Sequence, residues 1–94
     1  MSATNIDKQF MLSCKLVKAL SKTPCDDDLL KLYGLFKQST IGDCDIPEPN
    51  KIFDLKKNYK WTAWNKLKGT KQNDAKKKYT DMVMILIEKI GLKK

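Results

Sequence analysis

Tyr33-Gly34-Leu35-Phe36-Lys37-Gln38-Ser39-Thr40 decides the fold when taken with a second run, Lys60-Trp61-Thr62-Ala63-Trp64-Asn65-Lys66-Leu67-Lys68-Gly69. Both runs suit a helix. Both carry aromatic rings and lysines three or four residues apart, which fall on one helical surface. A ring beside an ammonium suits a flat base and its phosphates. Two such surfaces facing each other could hold a flat ring and several phosphates. The plainer alternative is that Tyr33 and Phe36 fill a core while Lys37 is solvated.

Helix signals continue outward in both directions. Ile6, Phe10, Cys14, Val17 and Leu20 make one apolar stripe over residues 6–20, with Thr4 or Asn5 able to cap its start and Asp7 in the first turn. Ser21-Lys22-Thr23-Pro24 breaks the pattern. Asp26, Asp27 and Asp28 then precede Leu29-Leu30, as acids do at a helix start. Consecutive acids on a helix diverge, so the cluster reads as helix initiation and not as a metal cage. This second helix is predicted to reach about Ile41, with Leu29, Tyr33, Phe36 and Thr40 on one face and Gly42 as its stop. Residues 42–53 form one long loop around Pro47-Glu48-Pro49-Asn50, where two prolines exclude a continuous helix. A third helix is predicted from Leu55 to Lys68, stopped by Gly69. Thr70 would cap a fourth, whose stripe is Ala75, Tyr79, Met82, Val83, Leu86, Ile87 and Ile90, closed by Gly91. No internal repeat and no strand pair is visible. The expectation is a single all-α domain over residues 1–94 with four helices.

Composition narrows the function. The chain has 94 residues, 41% of them hydrophobic, which suffices for one small core with little stability to spare. A ligand site is therefore expected to share residues with that core. The net charge is +8, all the basic residues are lysines, and the charge is uneven. Residues 1–50 hold 6 Lys against 7 acids, whereas residues 51–94 hold 13 Lys against 4 acids, a local balance of +9. Such a half favours an anionic partner. The lack of arginine argues against base-specific DNA reading, in which arginine most often contacts guanine. The lack of histidine removes the commonest general base and metal ligand. Cys14, Cys25 and Cys44 have no paired spacing and fit reduced thiols. No run approaches the ~20 apolar residues of a membrane span, and no signal peptide is visible, so a cytoplasmic protein is expected.

Individual side chains extend the picture. Lys56 and Lys60 are one turn apart and repel by a few tenths of a kcal/mol, roughly, on a bare helix. A phosphate between them would reverse that sign, although a solvated lysine face is an equal alternative. Trp61 and Trp64 are too close in register for both to leave the core, so at least one is structural. Lys76-Lys77-Lys78 fans around the helix by about 100° per residue and reads as solvated surface. The Tyr79 ring should pack, leaving its hydroxyl free to bond a partner at a pocket edge.

The whole pattern resembles the acyl-CoA-binding protein family. The resemblance lies in Leu30-x-x-Tyr33-x-x-Phe36-Lys37-Gln38-Ser39-Thr40-x-Gly42-Asp43. It continues through Asp54-x-Lys56-x-x-x-Lys60-Trp61-x-x-Trp64-Asn65-x-Leu67-Lys68-Gly69 and ends with Ala75-x-x-x-Tyr79-x-x-x-Val83. It implies an up-down-down-up four-helix bundle that binds long-chain acyl-CoA thioesters without chemistry, metal or cofactor. By motif position, Phe36 would stack on adenine. Tyr33, Lys37 and Lys60 would hold the 3′-phosphate region, with Lys56 adding charge. Lys18 would reach the headgroup, Tyr79 would touch the ligand and Leu30 would line the acyl groove. The family often has tyrosine where Phe36 stands. Its loop usually carries Arg-Pro-Gly or similar, whereas Pro47-Glu48-Pro49-Asn50 lacks the basic residue and is one residue longer. Asn73 stands where a capping-box glutamate is common after Thr70.

The reading is an intracellular carrier and pool buffer for acyl-CoA, monomeric, delivering ligand to acyl-CoA-using enzymes and touching membranes at most transiently. The alternative is a basic nucleic-acid-binding helical domain, resting on the +9 half and the two tryptophans among lysines. A peripheral membrane protein is a third reading, against which the core-filling stripes leave no obvious spare apolar face. An enzyme is not expected, because no nucleophile has a partner base.

Overall fold

The computed structural model describes residues 5–50 and 52–94, in which α1 spans Asn5–Leu16, α2 Asp26–Thr40, α3 Leu55–Asn65 and α4 Gln72–Ile90. α1 continues as a single 3₁₀ turn, Val17–Ala19. Asp7 lies in the first turn of α1, and the three aspartates occupy the first turn of α2, where they oppose the positive end of the helix dipole. Thr4, one of the two expected caps of α1, lies outside the described residues. Gly42, Gly69 and Gly91 follow α2, α3 and α4 with φ of 101°, 92° and 87°, the left-handed region that glycine enters without steric cost.

Two boundaries differ from the sequence expectation. α3 ends at Asn65, and Lys66–Gly69 turns more tightly, with Leu67, Lys68 and Thr70 N–H groups each bonding three residues back. Thr70 does not cap α4. Its N–H is spent on Leu67 and its carbonyl accepts the Gln38 amide at 2.7 Å, so Lys71 takes the cap position without a side-chain bond. The reciprocal box with Asn73 therefore has no place here.

Pairings between helices give the topology. Asp7 meets Lys76, Phe10 meets Tyr79, and Ser21 meets Gly91, so α1 and α4 run the same way. Phe36 meets Tyr79 while Ser39 meets Gln72, so α2 opposes α4. Gly34 meets Ala63 and Gln38 meets Thr70, so α2 and α3 are parallel. The order is up-down-down-up, and the parallel pair is possible because the Ile41–Asp54 connection is long enough to return along the bundle. The core joins Phe10 and Leu20 to Leu32 and Leu35 of α2 and to Ala75, Tyr79, Val83 and Leu86 of α4.

α2 presents a different face to this core than the stripe suggested. Leu32, Leu35, Gln38 and Ser39 are buried, while Leu29, Phe36 and Thr40 are exposed. Two polar residues on the buried face hide it from a hydrophobicity count. Ser39 Oγ donates to Leu35 O, and Gln38 donates to Asp43 and Thr70. Lys76 also departs from the solvated reading. It pairs with Asp7 at 2.7 Å and lies 6.0 Å from the Phe10 ring centroid, tying α1 to α4.

Gly34 is the contact on which the α2–α3 approach depends. A Cβ there would meet the Ala63 carbonyl, which is backbone and cannot move aside as a side chain would. Gly34→Ala should destabilise the fold by about 1–3 kcal/mol through overpacking, despite the better helix propensity of alanine. Urea unfolding checks this, and a midpoint equal to or above the parent's would show that the helices separate without cost.

Candidate ligand-binding site

The long connection after α2 is stitched to α3 by the tryptophan pair. Trp64 is 3% exposed and its Nε1–H donates to Gly42 O at 2.8 Å. Trp61, partly buried, donates from Nε1 to Ile46 O at 2.6 Å. Asn58 adds bonds to Glu48 Oε2 at 3.0 Å and Pro49 O at 3.1 Å. Trp64 is thus the structural member that sequence could not pick out, and Trp61 holds the loop. Asp43 closes the other end, accepting from Gly69 N–H at 2.9 Å and Gln38 Nε2 at 2.8 Å. Those two donors, the Gly69 N–H foremost, hold its carboxyl below the usual range.

On this frame two lysines from different helices converge on one ring. Lys37 Nζ lies 5.9 Å and Lys60 Nζ 5.4 Å from the Tyr33 ring centroid, and Lys37 is also 5.5 Å from Trp64. Among the described residues neither ammonium has a carboxylate partner. Lys60 stands at a junction, because it also lines a groove of about 730 Å³ between the first turns of α2 and of α3. The groove walls include Leu29, Leu30, Lys56 and Tyr59, with Asp26 and Asp27 at the start of α2. Its volume lies in the range of small-molecule pockets. The expectation that Lys56 and Lys60 face the same way is met.

Phe36 sits elsewhere on α2. It is 39% exposed and packs 6.1 Å from Phe10 and 6.2 Å from Tyr79, on the α1–α4 side. The cause is angular. At about 100° per residue, Phe36 and Lys37 flank Tyr33 on opposite sides, one toward α4 and one toward α3. The three residues form a ridge and not a flat face.

The Tyr79 ring packs, at 5% exposure, and its hydroxyl lies beside the Cys14 thiol, where burial is the main cause that pushes the pKa of both groups up. Lys18, exposed on the 3₁₀ turn, is near enough for its charge to favour the Cys14 thiolate slightly. The structure therefore brings Tyr33, Lys37, Lys60, Lys56 and Leu30 together, and sets Phe36, Tyr79 and Lys18 on the neighbouring α1–α4 side. Sequence reasoning missed Tyr59 and assigned Leu29 to a shared helix stripe. The signal for Tyr59 was its register, one turn from Lys56.

Comparison with known proteins agrees with this architecture. The family model described as Acyl CoA binding protein matches residues 7–83. Acyl-CoA-binding protein 2 of Saccharomyces pastorianus is 46% identical over 84 residues, 89% of this chain and 95% of that protein. Acyl-CoA-binding protein homolog 1 of Caenorhabditis elegans is 49% identical over 75 residues, 80% of this chain and 86% of that protein. The crystal structure of Oryza sativa Acyl-CoA-Binding Protein 2 superposes with a TM-score of 0.84 at 35% identity, covering 90% of this chain and 93% of that one. Agreement of this extent, on a bundle with the same helix order, makes the chain a member of the acyl-CoA-binding protein family.

Proposed function

We propose that this chain binds long-chain acyl-CoA thioesters non-covalently and acts as their intracellular carrier and pool buffer. The observation that carries the reading is the convergence of Lys37 and Lys60 on Tyr33 at the mouth of a groove lined by Leu29, Leu30 and Tyr59. Two cations with no carboxylate partner among the described residues, beside a groove with leucine and tyrosine in its walls, suit a ligand with phosphates at one end and a hydrocarbon at the other. In this reading Tyr33, Lys37 and Lys60 hold the phosphate region and Lys56 adds charge. Leu30 meets the acyl chain. Phe36, with its exposed ring, stacks on the adenine, while Lys18 and Tyr79 border the same side. The ligand leaves unchanged, since the chain has no histidine and, among the described residues, no nucleophile with a partner base lines the groove. The protein works as a monomer in the cytoplasm and passes ligand to acyl-CoA-using enzymes.

Magnitudes require both halves of the ligand. About ten buried methylenes give ~8 kcal/mol gross at ~0.8 kcal/mol each. Nanomolar affinity needs about 12 kcal/mol net. Stacking supplies roughly 1–3 kcal/mol, and each charge-assisted phosphate bond roughly 1.5–3. Calorimetric titration should therefore show tight one-to-one binding of palmitoyl-CoA and far weaker binding of CoA or palmitate alone. Equal binding of palmitate and palmitoyl-CoA would refute the headgroup site. A steep loss with salt for nucleic acid and none of the thioester's apolar term would favour the alternative reading.

A further inference from the structure

Ile52 and Phe53 are the most exposed large apolar residues described, at 85% and 87%. We propose that they and the lysines of the following turns form a docking surface for an anionic lipid bilayer. Asn50 holds them in a defined turn. Its Oδ1 accepts the Ile52 N–H at 2.8 Å and the Phe53 N–H at 3.0 Å, and its carbonyl accepts the Asp54 N–H at 3.1 Å. The N–H groups of Ile52, Phe53 and Asp54 are thus satisfied internally, which lowers the cost of placing the two side chains in a medium without water. Leu55 and Tyr59, both more than half exposed, extend the apolar surface along α3.

Charge selects the partner. Lys56, Lys57 and Lys60 follow within two turns; in that stretch the one carboxylate is Asp54, 3.4 Å from Lys57, while Asp26 and Asp27 stand across the groove from Lys56 and Lys60. A second copy of the chain would bring like-charged faces together. An anionic bilayer offers apolar depth to the two side chains and negative charge to the lysines beside them. The spare apolar face that the helix stripes did not reveal lies in the loop, where no helical period marks it. Lys56 and Tyr59 also line the groove, so docking brings the groove to the bilayer, where acyl chains reside. That loading role rests on the acyl-CoA reading; the docking itself does not.

The test is co-sedimentation of the full chain with vesicles of phosphatidylcholine and phosphatidylserine in equal parts, against phosphatidylcholine alone, at low and high salt. Mixed vesicles should bind the parent, and salt should weaken the binding. The double variant Ile52→Ser, Phe53→Ser and the single variant Lys57→Gln should each weaken binding by about tenfold. The same variants, titrated with palmitoyl-CoA without vesicles, should keep the parental affinity, which also shows that they fold. Undiminished vesicle binding by both variants overturns the proposal. So does a loss of palmitoyl-CoA affinity in the double variant with vesicle binding intact, which would put the two side chains over the acyl chain. Vesicle binding by a parent that fails to bind palmitoyl-CoA would uphold the docking and remove the carrier reading.

Discussion

Lys60→Ala is expected to lower palmitoyl-CoA affinity about 10- to 100-fold, the equivalent of one charge-assisted bond to phosphate. The basis is its double position, 5.4 Å from the Tyr33 ring centroid and in the groove wall. The residue is exposed and makes no ion pair among the described residues, so its loss removes only the contact with the Tyr33 ring. Circular dichroism should accordingly remain that of the parent. Lys37→Ala is expected to act in the same direction, and the double variant to lose more than either alone, since one anion would bridge both ammoniums. Tyr33→Ala tests the ring between them. A parental affinity in the double variant would take the phosphates out of this cluster. A loss of helicity in the single variants would move the residues from site to core.

Trp64→Ala is expected to destabilise the fold by about 3–5 kcal/mol, the range for removing a large buried aromatic side chain. For a domain of this size that corresponds to a fall in Tm of roughly 4–8 °C per kcal/mol. The ring is 3% exposed, and its Nε1–H also fixes the Gly42 carbonyl at the start of the long connection. Trp64→Phe separates the two effects. It keeps most of the packing and gives up a neutral hydrogen bond of about 0.5–1.5 kcal/mol. Thermal unfolding of both variants checks the assignment. If Trp64→Ala unfolds with the parent, the loop is held by Trp61, Asn58 and Asp43, and the Trp64 ring serves the site through Lys37.

The elements themselves follow from short-range rules that act before any tertiary contact. Three aspartates start α2, Gly42 and Gly91 stop α2 and α4, and Pro47 and Pro49 keep the loop open. The α4 stripe was legible because one face of it is uniformly apolar, with Ala75 and Val83 fully covered. The α2 face was not, because it buries two polar residues: Ser39, whose Oγ donates to Leu35 one turn back, and Gln38, whose amide donates to Asp43 and Thr70. Gln38 reaches Thr70, 32 residues away, and that same bond removes Thr70 from its cap.

For the site, the sequence alone determined which residue types were present: rings beside lysines, at helical spacing, in two segments that match one family. It did not determine how those segments face each other. Tyr33 and Lys60 lie on different helices, and only the parallel packing of α2 on α3, permitted by Gly34, sets the two lysines over one ring. Likewise only the packing of α1 against α4 sets the Tyr79 ring on Phe10, 5.2 Å between centroids, and its hydroxyl beside Cys14. Local periodicity specifies a helix and its faces, since both depend on neighbours within one turn. Which face meets which neighbour depends on contacts between residues far apart in the chain, and those exist only once the bundle has closed.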